Sequence, residues 1–110
     1  MMARKPRLFI PYATYHVYCR GARGEFIFSN REDSDLFLET LCGVRDRDGL
    51  SILAWCLMTN HYHMVIKTRS VPLWKTMAQL QRTVAIEHNQ RNRYLGRLWQ
   101  SRYRARFIDS

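Results

Sequence analysis

The chain has 110 residues and a formal net charge of +9, which suits one small domain and excludes a large multidomain enzyme. No apolar run is long enough to span a membrane, and no N-terminal stretch has the form of a signal peptide. The three cysteines, Cys19, Cys42 and Cys56, fit no paired metal-binding spacing. They indicate free thiols in a reducing, cytoplasmic environment.

The positive charge is concentrated in the C-terminal part of the chain. Residues 67–110 hold ten Lys or Arg against two acidic residues, whereas residues 1–66 hold eight basic and seven acidic residues. Such asymmetry indicates a polyanionic partner, with a merely solvated basic surface as the alternative. A membrane surface is less favoured, because the basic residues alternate with aromatic ones rather than lining one amphipathic helix.

The first predicted element is a strand over residues 12–20, after a basic lead-in over residues 1–11. Its strand-forming residues alternate, which predicts two distinct faces. One face carries Tyr12, Thr14, His16, Tyr18 and Arg20, and the other carries Ala13, Tyr15, Val17 and Cys19. Glycines at positions 21 and 24 then indicate a loop.

A helix is predicted between this loop and Gly49. Ser29 and Glu32 have the spacing of a capping box. Apolar residues recur at helical spacing at Phe37, Leu41 and Val44. Gly49 is the expected end of the helix.

A hairpin is predicted next, with Thr59 and Asn60 as its two-residue turn. Residues 50–58 are nearly all apolar, which is typical of a central strand. On the partner strand, residues 61–68, one apolar face should rest on helices and the other should stay open. The apolar face holds Tyr62, Met64 and Ile66, and the open face holds His61, His63, Val65 and Lys67.

Ser70 and Pro72 are expected to open a second helix, with proline in its favoured first turn. This helix has a buried stripe, Leu73, Met77, Leu80 and Val84, and a polar stripe, Lys75, Gln79 and Arg82. After a polar connection, residues 97–108 alternate again, with Trp99, Tyr103 and Phe107 on one face and Arg102, Arg104 and Arg106 on the other. The order β-α-β-β-α-β predicts an α+β, ferredoxin-like antiparallel sheet with two helices packed on one face.

His61 and His63 are the most informative residues of the sequence. Two imidazoles on one strand face, two residues apart, can hold a single divalent metal ion. Imidazole favours Mn, Zn or Ni over Mg. Exposed or hydrogen-bonded histidines without a metal are one alternative, and a structural zinc site that includes Cys56 is another, weaker one. His16 would share the open face if its strand neighbours the hairpin, although a packed or hydrogen-bonded role is favoured for it.

The arginines of the last predicted strand are the best candidates for phosphate contacts. Three like charges on one strand face repel each other, and a polyanion would relieve that repulsion. The complete set of predicted contacts to this polyanion is Arg20, Lys67, Lys75, Arg82, Arg97, Arg102, Arg104 and Arg106. Tyr62, Trp55 and Trp99 are interpreted as core residues rather than base-stacking platforms.

Four segments of the chain carry a resemblance to a known family. They are Tyr15-His16-Val17 with Arg20-Gly21, Ala54-Trp55-Cys56-Leu57-Met58-Thr59-Asn60-His61-Tyr62-His63, Asn89 with Arg91, and Gly96-Arg97-Leu98-Trp99-Gln100-Ser101-Arg102-Tyr103. With these segments, which span almost all of residues 7–109, the sequence resembles the single-tyrosine HUH transposases of the IS200-like type, especially the REP-associated tyrosine transposases. The second and fourth segments together make the resemblance specific.

The resemblance implies a DNA strand transferase that acts on single-stranded or hairpin DNA. It implies a divalent metal, Mg or Mn, held by His61 and His63, and a tyrosine that attacks the scissile phosphate and forms a 5′-phosphotyrosine link. In the family this tyrosine and a further metal ligand lie on a helix after the strand equivalent to 98–108. We therefore expect residues 1–110 to be one domain that is incomplete at its C-terminus, with the catalytic tyrosine beyond Ser110, because Tyr94 and Tyr103 are not at the matching position.

Two functions stay open on this basis. The chain is either a transposase domain or a catalytically inactive remnant that still binds nucleic acid, with RNA binding less favoured than DNA binding. Without a fixed tyrosine, we expect the chain to bind DNA and not to capture it covalently. An uncovered apolar sheet face would also favour a homodimer.

Overall fold

The computed structural model describes residues 10–108, so that most of the predicted lead-in lies outside the described residues. Two helices and four strands follow in the predicted order: β1 (Thr14–Arg20), α1 (Arg31–Asp48), β2 (Ser51–Met58), β3 (His61–Lys67), α2 (Leu73–Asn92) and β4 (Arg104–Ile108). A short 3₁₀ turn, Ala22–Gly24, follows β1. Within the described residues, neither helix is long and apolar enough to cross a membrane.

The four strands form one sheet in the order β2-β3-β1-β4. Every neighbouring pair is antiparallel. The helices contact each other and cover one face of the sheet. The predicted α+β, ferredoxin-like architecture is therefore confirmed. Its consequence for function is that no helix among residues 10–108 covers the opposite face of the sheet, called the open face below.

The core lies between the helices and the two inner strands. The alternation predicted for β1 and β3 is confirmed, since one residue in two on each strand is buried. The buried residues of these strands are Tyr15, Val17, Cys19, Tyr62, Met64 and Ile66. The ring of Tyr62 lies 4.9 Å from that of Phe37 on α1. Burying each large apolar side chain of this kind contributes about 1.5–3 kcal/mol.

The prediction that residues 50–58 form a central strand is wrong. Among the described strands, β2 lies at the edge of the sheet and pairs with β3 alone, and most of its residues are exposed. Trp55, interpreted as core, is 54% exposed, because the helices bury the inner strands and leave this edge uncovered. An irregularity in the pairing between Ile52 and Ala54 also bends the strand locally.

The helix ends differ from prediction by small amounts. Asn30, and not Ser29, is the N-cap of α1, and its side chain accepts a hydrogen bond from the backbone N–H of Asp33. Gly49 is confirmed as the C-cap in the left-handed conformation, with φ of 75°. Pro72 lies at the N-cap of α2, one residue before the first turn. The predicted buried stripe of α2 is confirmed.

The last strand is shorter than predicted, because residues 97–103 are irregular and β4 begins at Arg104. An isolated antiparallel bridge between Gly21 and Trp99 and a side-chain contact with α2 hold this segment, in place of a continuous strand. The indole N–H of Trp99 donates to the carbonyl of Gln81 on α2 (2.9 Å), and Ala22 N–H donates to the carbonyl of Leu98 (2.7 Å). Trp99 is thereby buried as predicted, whereas Phe107 at the sheet edge is half exposed.

Candidate metal and nucleic-acid site

The histidine pair begins β3, directly after the tight turn at residues 59–60. His61 and His63 alternate with buried residues and are themselves partly exposed, so they share the open face as the sequence predicts. Their rings meet edge to face with centroids 5.0 Å apart. The hairpin turn and the alternation of the strand are therefore enough to bring the two imidazoles together.

Asn60 fixes the orientation of His61. Nδ1 of His61 lies 2.8 Å from Oδ1 of Asn60. Because a carboxamide oxygen only accepts hydrogen bonds, Nδ1 of His61 carries the proton and donates it. The lone pair of His61 is consequently on Nε2, the nitrogen available to a metal.

His16 on β1 is the partner of His63. Nε2 of His16 and Nδ1 of His63 are hydrogen-bonded at 3.1 Å, and the two rings are nearly parallel. Burial lowers the pKa of His63, and the nearby charges of His61, His16 and Arg20 lower it further. His63 therefore stays neutral, the form that binds metals, to a lower pH than a free imidazole.

The two histidines fit a divalent ion by donor chemistry and by spacing. Two imidazoles that bind one ion at about 2.1 Å through adjacent coordination positions have ring centroids about 5 Å apart. Among residues 10–108, however, no group of three His, Cys, Asp or Glu residues is placed to hold a metal. The zinc site with Cys56 is therefore not supported, although Cys56 lies opposite His63 in the sheet.

The predicted DNA-contact residues divide between the two faces of the molecule. Register places Arg104 opposite Tyr18 and Arg106 opposite His16 on the open face. Arg20 and Lys67 also lie on that face, at strand ends, and Arg102 lines a pocket beside Arg20 and Arg104. The structure does not bring the remaining residues to this site. Lys75 and Arg82 are exposed on α2 in the helical layer, and Arg97 is exposed in the segment before β4.

Tyr18 is a site residue that the sequence analysis did not single out. Its ring stacks on His63 with centroids 5.7 Å apart and on His16 at 5.2 Å. The signal in the sequence was its place two residues after His16 on the same strand face. Tyr103 is buried, and the hydroxyl of Tyr94 is hydrogen-bonded to Arg23 and Glu25 away from the histidines.

Comparison with protein families shows a match between residues 10–110 and the family described as "Transposase IS200 like". The chain belongs to the IS200-like transposase family. This membership confirms the family that the sequence resembles, and it covers nearly the whole chain. No curated protein matches the sequence.

Two solved structures share the fold of this IS200-like domain. One is a REP-associated tyrosine transposase bound to a REP hairpin, with a TM-score of 0.80, 14% identity and 99% of this chain covered. The present chain spans 64% of that protein's length. The other, from Deinococcus radiodurans R1, is a protein proposed to be a transposase, with a TM-score of 0.71 and 17% identity; 97% of this chain and 87% of that one are covered.

Proposed function

We propose that this IS200-like domain carries the metal-binding and phosphate-binding part of a DNA strand transferase that acts on single-stranded or hairpin DNA. The observation that carries the proposal is the pair His61 and His63, side by side on the open face with centroids 5.0 Å apart. The solved relative bound to a REP hairpin supports DNA as the class of partner.

The proposed reaction is a transesterification. A tyrosine hydroxyl attacks the scissile phosphorus, the bond from phosphorus to the 3′-oxygen breaks, and that oxygen takes up a proton. The new phosphotyrosine bond conserves the energy for rejoining the strand. A divalent ion, Mg or Mn, bound at the histidines would supply neutralisation of charge on the phosphoryl oxygens.

The residues of this chain have distinct parts in that scheme. His61 and His63 supply the metal ligands, and Asn60 holds His61 with Nε2 free of a proton. Arg104 and Arg106 lie on the same face and contact the DNA backbone as bidentate donors. No described tyrosine is assigned as the nucleophile. Tyr18 is the one tyrosine beside the pair within residues 10–108, and its ring is packed against two histidines.

The experiment that tests the proposal measures the affinity of the protein for a fluorescent hairpin with a single-stranded tail, in Mn²⁺ and in EDTA. We expect Mn²⁺ to tighten binding by the unaltered protein and to have no effect on a variant with both His61→Ala and His63→Ala. The variant should keep the affinity seen in EDTA. An unaltered protein that binds equally well with and without Mn²⁺ would contradict the proposal.

A second candidate function is DNA binding without catalysis. It is favoured by the absence, among the residues that the structure describes, of a third protein ligand for the metal. Denaturing electrophoresis of labelled hairpin after incubation with Mn²⁺, together with the comparison of affinities in Mn²⁺ and EDTA, separates the two functions. Binding that Mn²⁺ tightens through both histidines supports the transferase domain, with or without a covalent adduct, whereas binding with no adduct and no effect of Mn²⁺ supports the second function.

A further inference from the structure

A pocket of about 320 Å³ lies beside the histidine pair, where β1 ends and the segment before β4 passes it. The side chains that matter in its lining are Tyr18, Arg20, Gln100, Arg102 and Arg104. Among residues 10–108, no Asp or Glu lines it. The pocket is thus a concave site lined by arginine side chains, with Arg20 and Arg104 on its β-strand wall.

Hydrogen bonds hold the wall of this pocket in place. Gln100 N–H donates to the carbonyl of Arg20 (2.9 Å). The thiol of Cys19 points to the carbonyl of Ser101 at 3.5 Å. The indole of Trp99 anchors the same segment to α2. Because these contacts fix the backbone, Arg20 and Arg104 stay close together, and no described acidic residue lies in the lining.

The positive charge of the pocket favours the binding of an anion. Among the described residues, neither Arg20 nor Arg104 forms a salt bridge. Positive groups held close together repel, and an anion with several oxygens relieves that repulsion while accepting paired N–H donors. A phosphate group has this chemistry, and guanidinium groups match its geometry.

The position of the pocket suggests where that phosphate comes from. Across the open face, His63, Tyr18 and Arg104 form one row on three adjacent strands. Strands are spaced about 4.8 Å apart, so the backbone of Arg104 lies about 10 Å from that of His63. A nucleic-acid strand that presents one phosphate at the histidines can therefore reach the pocket with a nearby phosphate.

We propose that this pocket binds one backbone phosphate of the single-stranded DNA, separate from the phosphate that the histidine pair addresses. The inference rests on the proposed function for the identity of the strand, but phosphate binding itself needs neither metal nor cleavage. Gln100 and Ser101 add neutral hydrogen-bonding groups at the rim, while the guanidinium groups supply the charge.

The test is a titration of the metal-free protein in EDTA, followed through backbone amide signals by NMR. The probes are inorganic phosphate, thymidine 5′-monophosphate and thymidine. We expect the two phosphate-bearing probes to shift the signals of Gln100 and Ser101 and thymidine to leave them unchanged. Arg104→Gln and Arg20→Gln should each weaken the binding of thymidine 5′-monophosphate about tenfold, since each removes one charge-assisted hydrogen-bonding group.

The matched control is Arg31→Gln, which removes one exposed arginine from α1 and should leave the titration unchanged. Equal weakening by the control, or shifts from thymidine alone, would overturn the pocket assignment. Loss of the Mn²⁺ effect on hairpin binding with an intact phosphate titration would overturn the proposed function and leave the pocket standing. If phosphate shifts no signals while Mn²⁺ still tightens hairpin binding, the pocket assignment is overturned and the proposed function stands.

Discussion

His61 and His63 have the same side chain and the same face but different surroundings. His61 is held by the side chain of its neighbour in the turn, Asn60, whereas His63 is held by His16 from the adjacent strand. Each histidine thus has its Nδ1 engaged. A hydrogen bond to one ring nitrogen sets which nitrogen can bind a metal. Asn60 and His16 are therefore expected to position the ligands.

The first prediction concerns Asn60. Asn60→Ala removes the acceptor for Nδ1 of His61 and lets the proton move to Nε2, the nitrogen expected to bind the metal. We expect the affinity for Mn²⁺ or Zn²⁺, measured by isothermal titration calorimetry, to fall about tenfold to a hundredfold.

Thr59→Ala is the control for this measurement, since it alters the exposed neighbouring side chain of the same turn and should keep the affinity of the unaltered protein. If Asn60→Ala binds the metal as tightly as Thr59→Ala does, the positioning role assigned to Asn60 is wrong.

At the scale of elements, one buried carboxylate joins the C-terminal end of α1 to the N-terminal end of α2. Asp48 in the last turn of α1 accepts a hydrogen bond from the hydroxyl of Thr76 in the first turn of α2, at 2.6 Å. Arg47 donates two more, each at 2.8 Å. Hydrogen bonds from Arg47, and then from Thr76, hold the pKa of Asp48 below its ordinary value despite its burial.

The second prediction follows from this lowered pKa. The stabilisation from ionised Asp48 is complete above its ordinary pKa of 3.8 and is lost as the pH falls through the lower value in the folded state. Thr76→Val should cost about 1–3 kcal/mol of unfolding free energy at neutral pH, because it leaves a buried charge with one donor fewer. Asp48→Asn should make the loss of stability below pH 4 shallower.

Urea unfolding between pH 7 and pH 3 measures both effects. Asp46→Asn is the matched control, since Asp46 is an exposed carboxylate paired with its neighbour Arg45. If the unfolding free energy falls as steeply below pH 4 in Asp48→Asn as it does in Asp46→Asn, the role assigned to Asp48 is wrong.

Only some features of the sheet could be predicted from the sequence. The alternation in β1 and β3 was predictable because one face of each strand packs on helices, which imposes period-two burial. The edge position of β2 could not be predicted, because a short apolar run in the sequence does not distinguish a central strand from an exposed edge strand. The strand predicted from residue 97 failed because the indole of Trp99 is anchored on α2, a tertiary contact that alternation does not reveal.

At the scale of the whole molecule, the sequence predicted the charge asymmetry but not its division between faces. Residues of β4 and β1 place Arg104, Arg106 and Arg20 on the open face, while Lys75 and Arg82 lie on the helical layer. The hydrogen bond between His16 and His63 was likewise unpredictable, because it depends on the pairing of β1 with β3. Distant residues acquire a shared role only through strand order.

The third prediction uses this division of charge. Replacing Arg104 and Arg106 with Ala should weaken binding to single-stranded DNA and flatten its salt dependence, by about 0.7 in the slope of log K against log salt for each phosphate that the protein no longer neutralises. Replacing Lys75 and Arg82 with Ala removes the same net charge from the opposite layer and should leave the slope nearly unchanged. The slopes are measured by fluorescence anisotropy. Equal slopes of log K against log salt for the two double variants would show that the DNA does not bind preferentially to the open face.

The most direct test of the metal site is paramagnetic broadening of backbone amide signals by Mn²⁺. We expect broadening centred on residues 60–63 and on the facing residues 18–20 of β1, and its loss when His61 and His63 are both replaced with Ala. Glu39, exposed on α1, provides an internal reference for nonspecific binding to carboxylates. Broadening centred on α1, or broadening at β3 that survives the double replacement, would contradict the assignment of the open face as the metal site.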